Sequence, residues 1–74
     1  MKYLNFSVVI EEDKNGFFAF CPALQGCYTQ GETHEEVIKN IKDAIHLHLK
    51  DRSADNEKLN RPKSISLAMV EVAV

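Results

Sequence analysis

Leu4, Phe6, Val8 and Ile10 alternate with Tyr3, Asn5, Ser7, Val9 and Glu11 at the start of the chain. A period of two predicts a strand with one buried face. Glu12-Asp13-Lys14-Asn15-Gly16 follows as a hairpin loop, in which Asn-Gly is the strongest turn signal of the sequence. Phe17 to Cys21 then returns as a second strand, and Cys27 to Gln30 forms a short third. Between these two, Pro22 and Gly26 interrupt the chain on either side of Leu24, so the direction must reverse there.

Past Gly31 the period changes. Thr33 and Glu36 make a Thr-x-x-Glu capping box, which opens a helix predicted from His34 to about Lys50. Val37, Ile38, Ile41, Ala44, Ile45 and Leu49 recur three or four apart and form its apolar face. Lys39, Asn40, Lys42, Asp43 and His46 fall mostly on the wet side. Glu35 and Glu36 stand at the positive end of the helix dipole and Lys50 at the negative end.

Asp51 to Ser64 contains only Ala54 and Leu59 as apolar residues and reads as a surface connection ended by Pro62. Ile65 to Val74 is β-branched and predicted to be a long final strand. The order β-β-β-α-β follows, with the helix as a right-handed crossover that returns strand four parallel to strand one. The predicted fold is α+β and two-layered: a mixed four-stranded sheet of order 3-2-1-4 with one helix on one face.

The helix covers only one side of such a sheet. With an even-numbered first loop, Ile10 shares a side with Phe17, Ala19 and Cys21. Phe18 and Phe20 then point to the open side, near Tyr28. A slip of one residue inverts every side chain, and in that register Phe18 and Phe20 are ordinary core. The final strand is apolar on both faces, with Ile65, Leu67 and Met69 on one and Ala68, Val70, Val72 and Val74 on the other; only Glu71 is charged. A half-covered edge strand should alternate, and an apolar edge invites pairing. Phe18, Phe20, Tyr28, Met69, Val70, Val72 and Val74 are therefore the candidate contacts of a second subunit, whether a copy of this chain or another protein.

Composition narrows the function without naming it. Seventy-four residues make one domain, near the lower limit for a self-sustaining core. A net charge of −2, with nine basic and eleven acidic residues, argues against a direct grip on nucleic acid. A basic protein is the better-matched partner. No apolar run reaches the roughly 20 residues of a membrane span, and the first residues do not read as a signal peptide, which leaves the cytoplasm as the expected compartment.

Candidate chemistry is sparse. Cys21 and Cys27 are too few for a disulfide framework and read as two small apolar side chains, although they could face each other across the turn. His46 and His48 are two apart, about 200° around a helix, and cannot chelate one ion together. His34 lies at the helix start, and Cys-x5-Cys is not a zinc spacing. No cofactor or metal is expected. A two-metal nuclease needs converging carboxylates, with one in mid-strand one, and Phe6-Ser7-Val8-Val9-Ile10 supplies none.

Three ordered pieces lift the pattern above a generic fold. They are Cys21-Pro22-Ala23-Leu24-Gln25-Gly26-Cys27, then Gln30-Gly31-Glu32-Thr33-His34-Glu35-Glu36, then Asn40-Ile41-Lys42-Asp43-Ala44-Ile45. Preceded by Val8-Val9-Ile10-Glu11 and Asn15-Gly16-Phe17-Phe18-Ala19, they resemble the HicB-like antitoxin family over Phe6 to Leu49. The resemblance implies a partial ribonuclease H-like domain and a non-enzymatic role. In that role the chain neutralises a HicA-type toxin, a small basic RNA-cleaving protein, by covering its catalytic histidine. Many members of the family continue into a DNA-binding segment. None follows here, so a single domain without operator binding is expected. The expected function is an occluding antitoxin module that forms dimers or higher homo-oligomers. A metal-dependent ribonuclease H-like nuclease and a solitary homo-oligomeric interaction module are the alternatives.

Overall fold

The computed structural model describes residues 3–55 and 62–74, with side chains described for 3–51 and 62–74. Strand β1 spans Val9–Asp13, β2 Gly16–Phe20 and β3 Tyr28–Gly31, and helix α1 spans His34–Asp55. The three strands form an antiparallel sheet of order β1-β2-β3.

The first hairpin is tighter than the sequence suggested. Asp13 pairs with Gly16, leaving a loop of only Lys14 and Asn15. The Asn15 amide donates to Asp13 Oδ1 at 2.7 Å, an Asx-type closure that stabilises the reversal. A two-residue loop is even, which fixes the faces. Ile10 lies opposite Ala19 and Glu12 opposite Phe17, while Val9 lies opposite Phe20 and Glu11 opposite Phe18. Before Val9, Phe6 and Val8 stay half-buried against the core, so the alternation of the sequence persists there.

Two interlocked turns join β2 to β3. The Leu24 amide donates to Cys21 O at 3.0 Å and the Cys27 amide to Leu24 O at 3.1 Å, while the Cys21 amide donates to Cys27 O at 3.0 Å. Pro22 presets the first turn, and Gly26, at φ +81°, supplies the left-handed residue of the second. Leu24 is driven inward between them and is 1% exposed. With Ala19, Cys21, Cys27, Val37 and Ile41 it forms the buried core.

The capping box is present with one variation. The Glu36 amide donates to Thr33 Oγ1 at 3.0 Å, but Glu36 Oε1 accepts from the Glu32 amide, at 2.9 Å, one residue before the cap. Helix and sheet touch at Gly31, where an added Cβ would sit 2.8 Å from the Val37 nitrogen. That contact admits only glycine and lets α1 dock on β3 and β2. Asn40, expected on the wet side, is half-buried and its Nδ2 donates to Gln30 O of β3 at 2.9 Å. Ile38, expected on the apolar face, is exposed. The helix also runs a turn beyond Lys50, to Asp55, so Lys50 is not in its last turn.

The four-stranded sheet is not formed. The sheet has three strands, and residues 64–74 belong to no ladder among the described residues. The mixed order 3-2-1-4 and the β-β-β-α-β arrangement inferred from it are thus corrected to β-β-β-α with an extended terminal arm. The reason is physical. A strand apolar on both faces needs cover on both, and one helix on one side of the sheet cannot provide it. The arm is exposed along its length, and the Cα radius of gyration is 14.3 Å. A compact chain of this size would have about 11 Å. The expected connection from Asp51 to Ser64 is helical to Asp55, and its residues 56–61 lie outside the described residues.

Candidate functional site

The ladder register sorts the sheet's far side into two rows. One runs Val9–Phe20–Tyr28 and the other Glu11–Phe18–Gln30. Side chains directly opposite on one face lie about 5 Å apart at Cβ, so each row is a continuous contact surface. Phe18 is 37% exposed, Phe20 41% and Tyr28 75%, with no helix over them. Three neighbouring aromatic rings left open to water are an uncommon feature of a monomer surface.

The charges around these rings have one sign. Glu11 sits beside Phe18, Asp13 continues the same face of β1, and none of the strand residues on this face is basic. An apolar centre with an acidic border is suited to a partner with an apolar patch set among Lys and Arg. The aromatic residues were legible from strand alternation. The acidic border is not among the residues expected from the sequence, although steps of two along Val9, Glu11 and Asp13 place all three on one face of β1.

Phe18, Phe20 and Tyr28 are brought together on the sheet, whereas Met69, Val70, Val72 and Val74 lie on the separate arm and are all strongly exposed. The arm is apolar apart from Ser64, Ser66 and Glu71, whereas the open face is aromatic with acids.

Cys21 and Cys27 are free thiols buried in the core. Burial pushes the Cys27 thiol above its ordinary value, and the neighbouring Cys21 adds to this, which disfavours a Cys27 thiolate. The Glu36 carboxylate is committed to the helix cap. The His34 ring packs edge-on against Phe17, with centroids 5.9 Å apart. Among the described residues no three His, Cys, Asp or Glu side chains are placed to share an ion, and no helix is long and apolar enough to cross a membrane.

Similarity to known proteins extends from the sheet over most of the arm. Residues 6–73 match the family model described as "HicB_like antitoxin of bacterial toxin-antitoxin system". A UPF0150 protein of Helicobacter pylori is 46% identical over 67 residues, 90% of this chain and 93% of its own length. A UPF0150 protein of Synechocystis sp. is 43% identical over 72% of this chain and 68% of its own. One from Thermoplasma acidophilum is 39% identical over 78% and 86%. No solved structure matches the chain. With the family match reaching from the sheet's first residues to the end of the arm, this chain belongs to the HicB-like antitoxin family.

Proposed function

We propose that this chain is a non-catalytic antitoxin module that neutralises a HicA-type RNA-cleaving toxin by covering it. The observation that carries this reading is the open sheet face: Phe18, Phe20 and Tyr28 exposed together beside Glu11 and Asp13. The family supplies the class of partner, and the face supplies the means. Aromatic side chains at the centre of a patch are the residue types that dominate binding energy when desolvated. The acids at its border would steer a basic partner on approach and repel acidic ones. Nothing in this role requires turnover. The chain would act by occupying the surface that RNA must reach.

The test is co-expression with a small basic HicA-type toxin protein. Wild type should restore growth and co-purify with that protein. Phe18→Lys with Phe20→Lys should abolish both while leaving the helical circular-dichroism signal intact. Loss of one hot-spot aromatic weakens binding by about 30-fold or more. Full rescue by the double variant would refute occlusion through this face. Metal-stimulated RNA cleavage by the pure chain would instead favour the nuclease reading.

A further inference from the structure

We infer that the row Glu11–Phe18–Gln30 is a receiving site for one arginine side chain of the toxin, whose guanidinium stacks on the Phe18 ring and is gripped by the Glu11 carboxylate. The inference rests on the reading of the open sheet face as the docking surface, and it names what that surface holds.

Three observations carry it. First, the register sets the three residues side by side. Glu11 lies directly opposite Phe18 on one flank and Gln30 directly opposite it on the other, so all three point to the uncovered side. Neighbouring strands are about 4.8 Å apart, which leaves a carboxylate and an amide flanking the ring within reach of one group placed over it. All three side chains are exposed.

Second, Glu11 is an acid without a commitment inside the fold. Among the described residues, neither its carboxylate nor the Gln30 side-chain amide has a hydrogen-bond or ion-pair partner. Asp13, the other acid of this face, already accepts from the Asn15 amide through Oδ1. Strands β1, β2 and β3 contain no Lys, Arg or His, so the cation that matches Glu11 must come from outside the sheet. Third, the neighbouring row suits the rest of such a side chain. Phe20 and Tyr28 lie two residues along from Phe18 and Gln30, a step of about 6.7 Å, and give an apolar floor for an arginine's methylene stem.

The arrangement selects arginine over lysine. A guanidinium is planar, stacks on an aromatic face and presents its donors as a fork, so it can serve the Glu11 carboxylate and the Gln30 side-chain oxygen from one position over Phe18. An ammonium carries its donors on one strongly hydrated nitrogen and gains less from the ring. A phosphate is repelled by Glu11 and finds no cation on these strands.

The experiment is isothermal titration calorimetry of the full chain with a purified HicA-type toxin. Glu11→Gln should weaken binding about 10–100-fold, the loss of a hydrogen-bonded charge pair. Phe18→Leu, which keeps apolar bulk but removes the ring face, should weaken it about 2–30-fold. Asp13→Asn should change it by about threefold or less, as a border charge. With the toxin's arginines changed to lysine one at a time, a single one should match the Glu11→Gln loss, and the two losses should not add when combined. The inference falls, and the docking reading stands, if Phe18→Lys with Phe20→Lys abolishes binding while Glu11→Gln stays within twofold. It falls likewise if Asp13→Asn costs as much as Glu11→Gln, or if no toxin arginine couples to Glu11. A wild type that does not bind the toxin, or that binds it equally well after the double lysine substitution, would overturn the docking reading and the inference with it.

Discussion

Along β2, Phe17 and Ala19 face α1 while Phe18 and Phe20 face away from it, one residue apart on the same five-residue strand. Ala19 is 2% exposed and lies in a core with Leu24, Val37 and Ile41; Phe20 is 41% exposed beside Tyr28. The side with the smaller residue is the side that holds the fold together. The larger aromatic residues sit where the single chain gains least from them. Burying a Phe is among the strongest contributions a side chain makes to a small core. The two left in water add little to the stability of the single chain, so the two faces of one strand differ in what they contribute to the fold.

The largest expected effect breaks the fold side. Leu24→Ala should lose about 2–5 kcal/mol in urea unfolding, because Leu24 is held inward by two turns and cannot relax into the gap. A domain of this length has roughly 4–11 kcal/mol in total. Phe20→Ala should cost far less, about 1 kcal/mol or below, as a partly exposed side chain. Equal losses for the two would erase the distinction between the faces.

Gly31→Ala comes next. Its methyl would meet the Val37 backbone at 2.8 Å, and the helix must shift off β3, at about 1–3 kcal/mol. Toxin affinity in the folded fraction should be unchanged, which sharpens the separation of stability from binding. Thr33→Ala removes the acceptor for the Glu36 amide and should lower stability by about 1 kcal/mol, read as a shift in urea midpoint at constant slope.

The smallest effect concerns pH. The Cys27 thiol is raised above its ordinary value of 9.0 in the folded chain, by burial and by Cys21. A raised value in the folded state means the unfolded chain loses its proton first. The contribution is therefore complete below about pH 9 and is lost as pH rises through the folded value. Cys27→Ala should flatten the stability profile in that alkaline range and leave it unchanged at neutral pH. An unaltered alkaline slope would show that the thiol is not sheltered.

What the sequence made legible was local. Asn15-Gly16, Pro22 with Gly26, and Thr33 with Glu36 each act over a few residues, so the hairpin, double turn and helix start could be placed without tertiary knowledge. Strand alternation likewise exposed Phe18, Phe20 and Tyr28 once the loop proved even. The fourth strand could not be decided in the same way. Ile65 to Val74 has every local mark of a strand, but a strand also needs a free edge and cover on each apolar face, and these depend on what surrounds it. Asn40 and Ile38 exchanged their expected places for a similar reason. Helical periodicity gives a stripe, and the docking angle fixed by Gly31 decides which edge of that stripe meets β3.

The central claim is that the uncovered side of the sheet is the docking surface for the toxin. Cross-saturation by nuclear magnetic resonance, from unlabelled HicA-type toxin to this chain labelled with deuterium and nitrogen-15, measures it residue by residue. Attenuation centred on β2 and β3, strongest at Phe18, Phe20 and Tyr28 and extending to Glu11, is the predicted result. Attenuation confined to the outward face of α1, at Ile38, Lys42 and His46, with the sheet untouched, would contradict it.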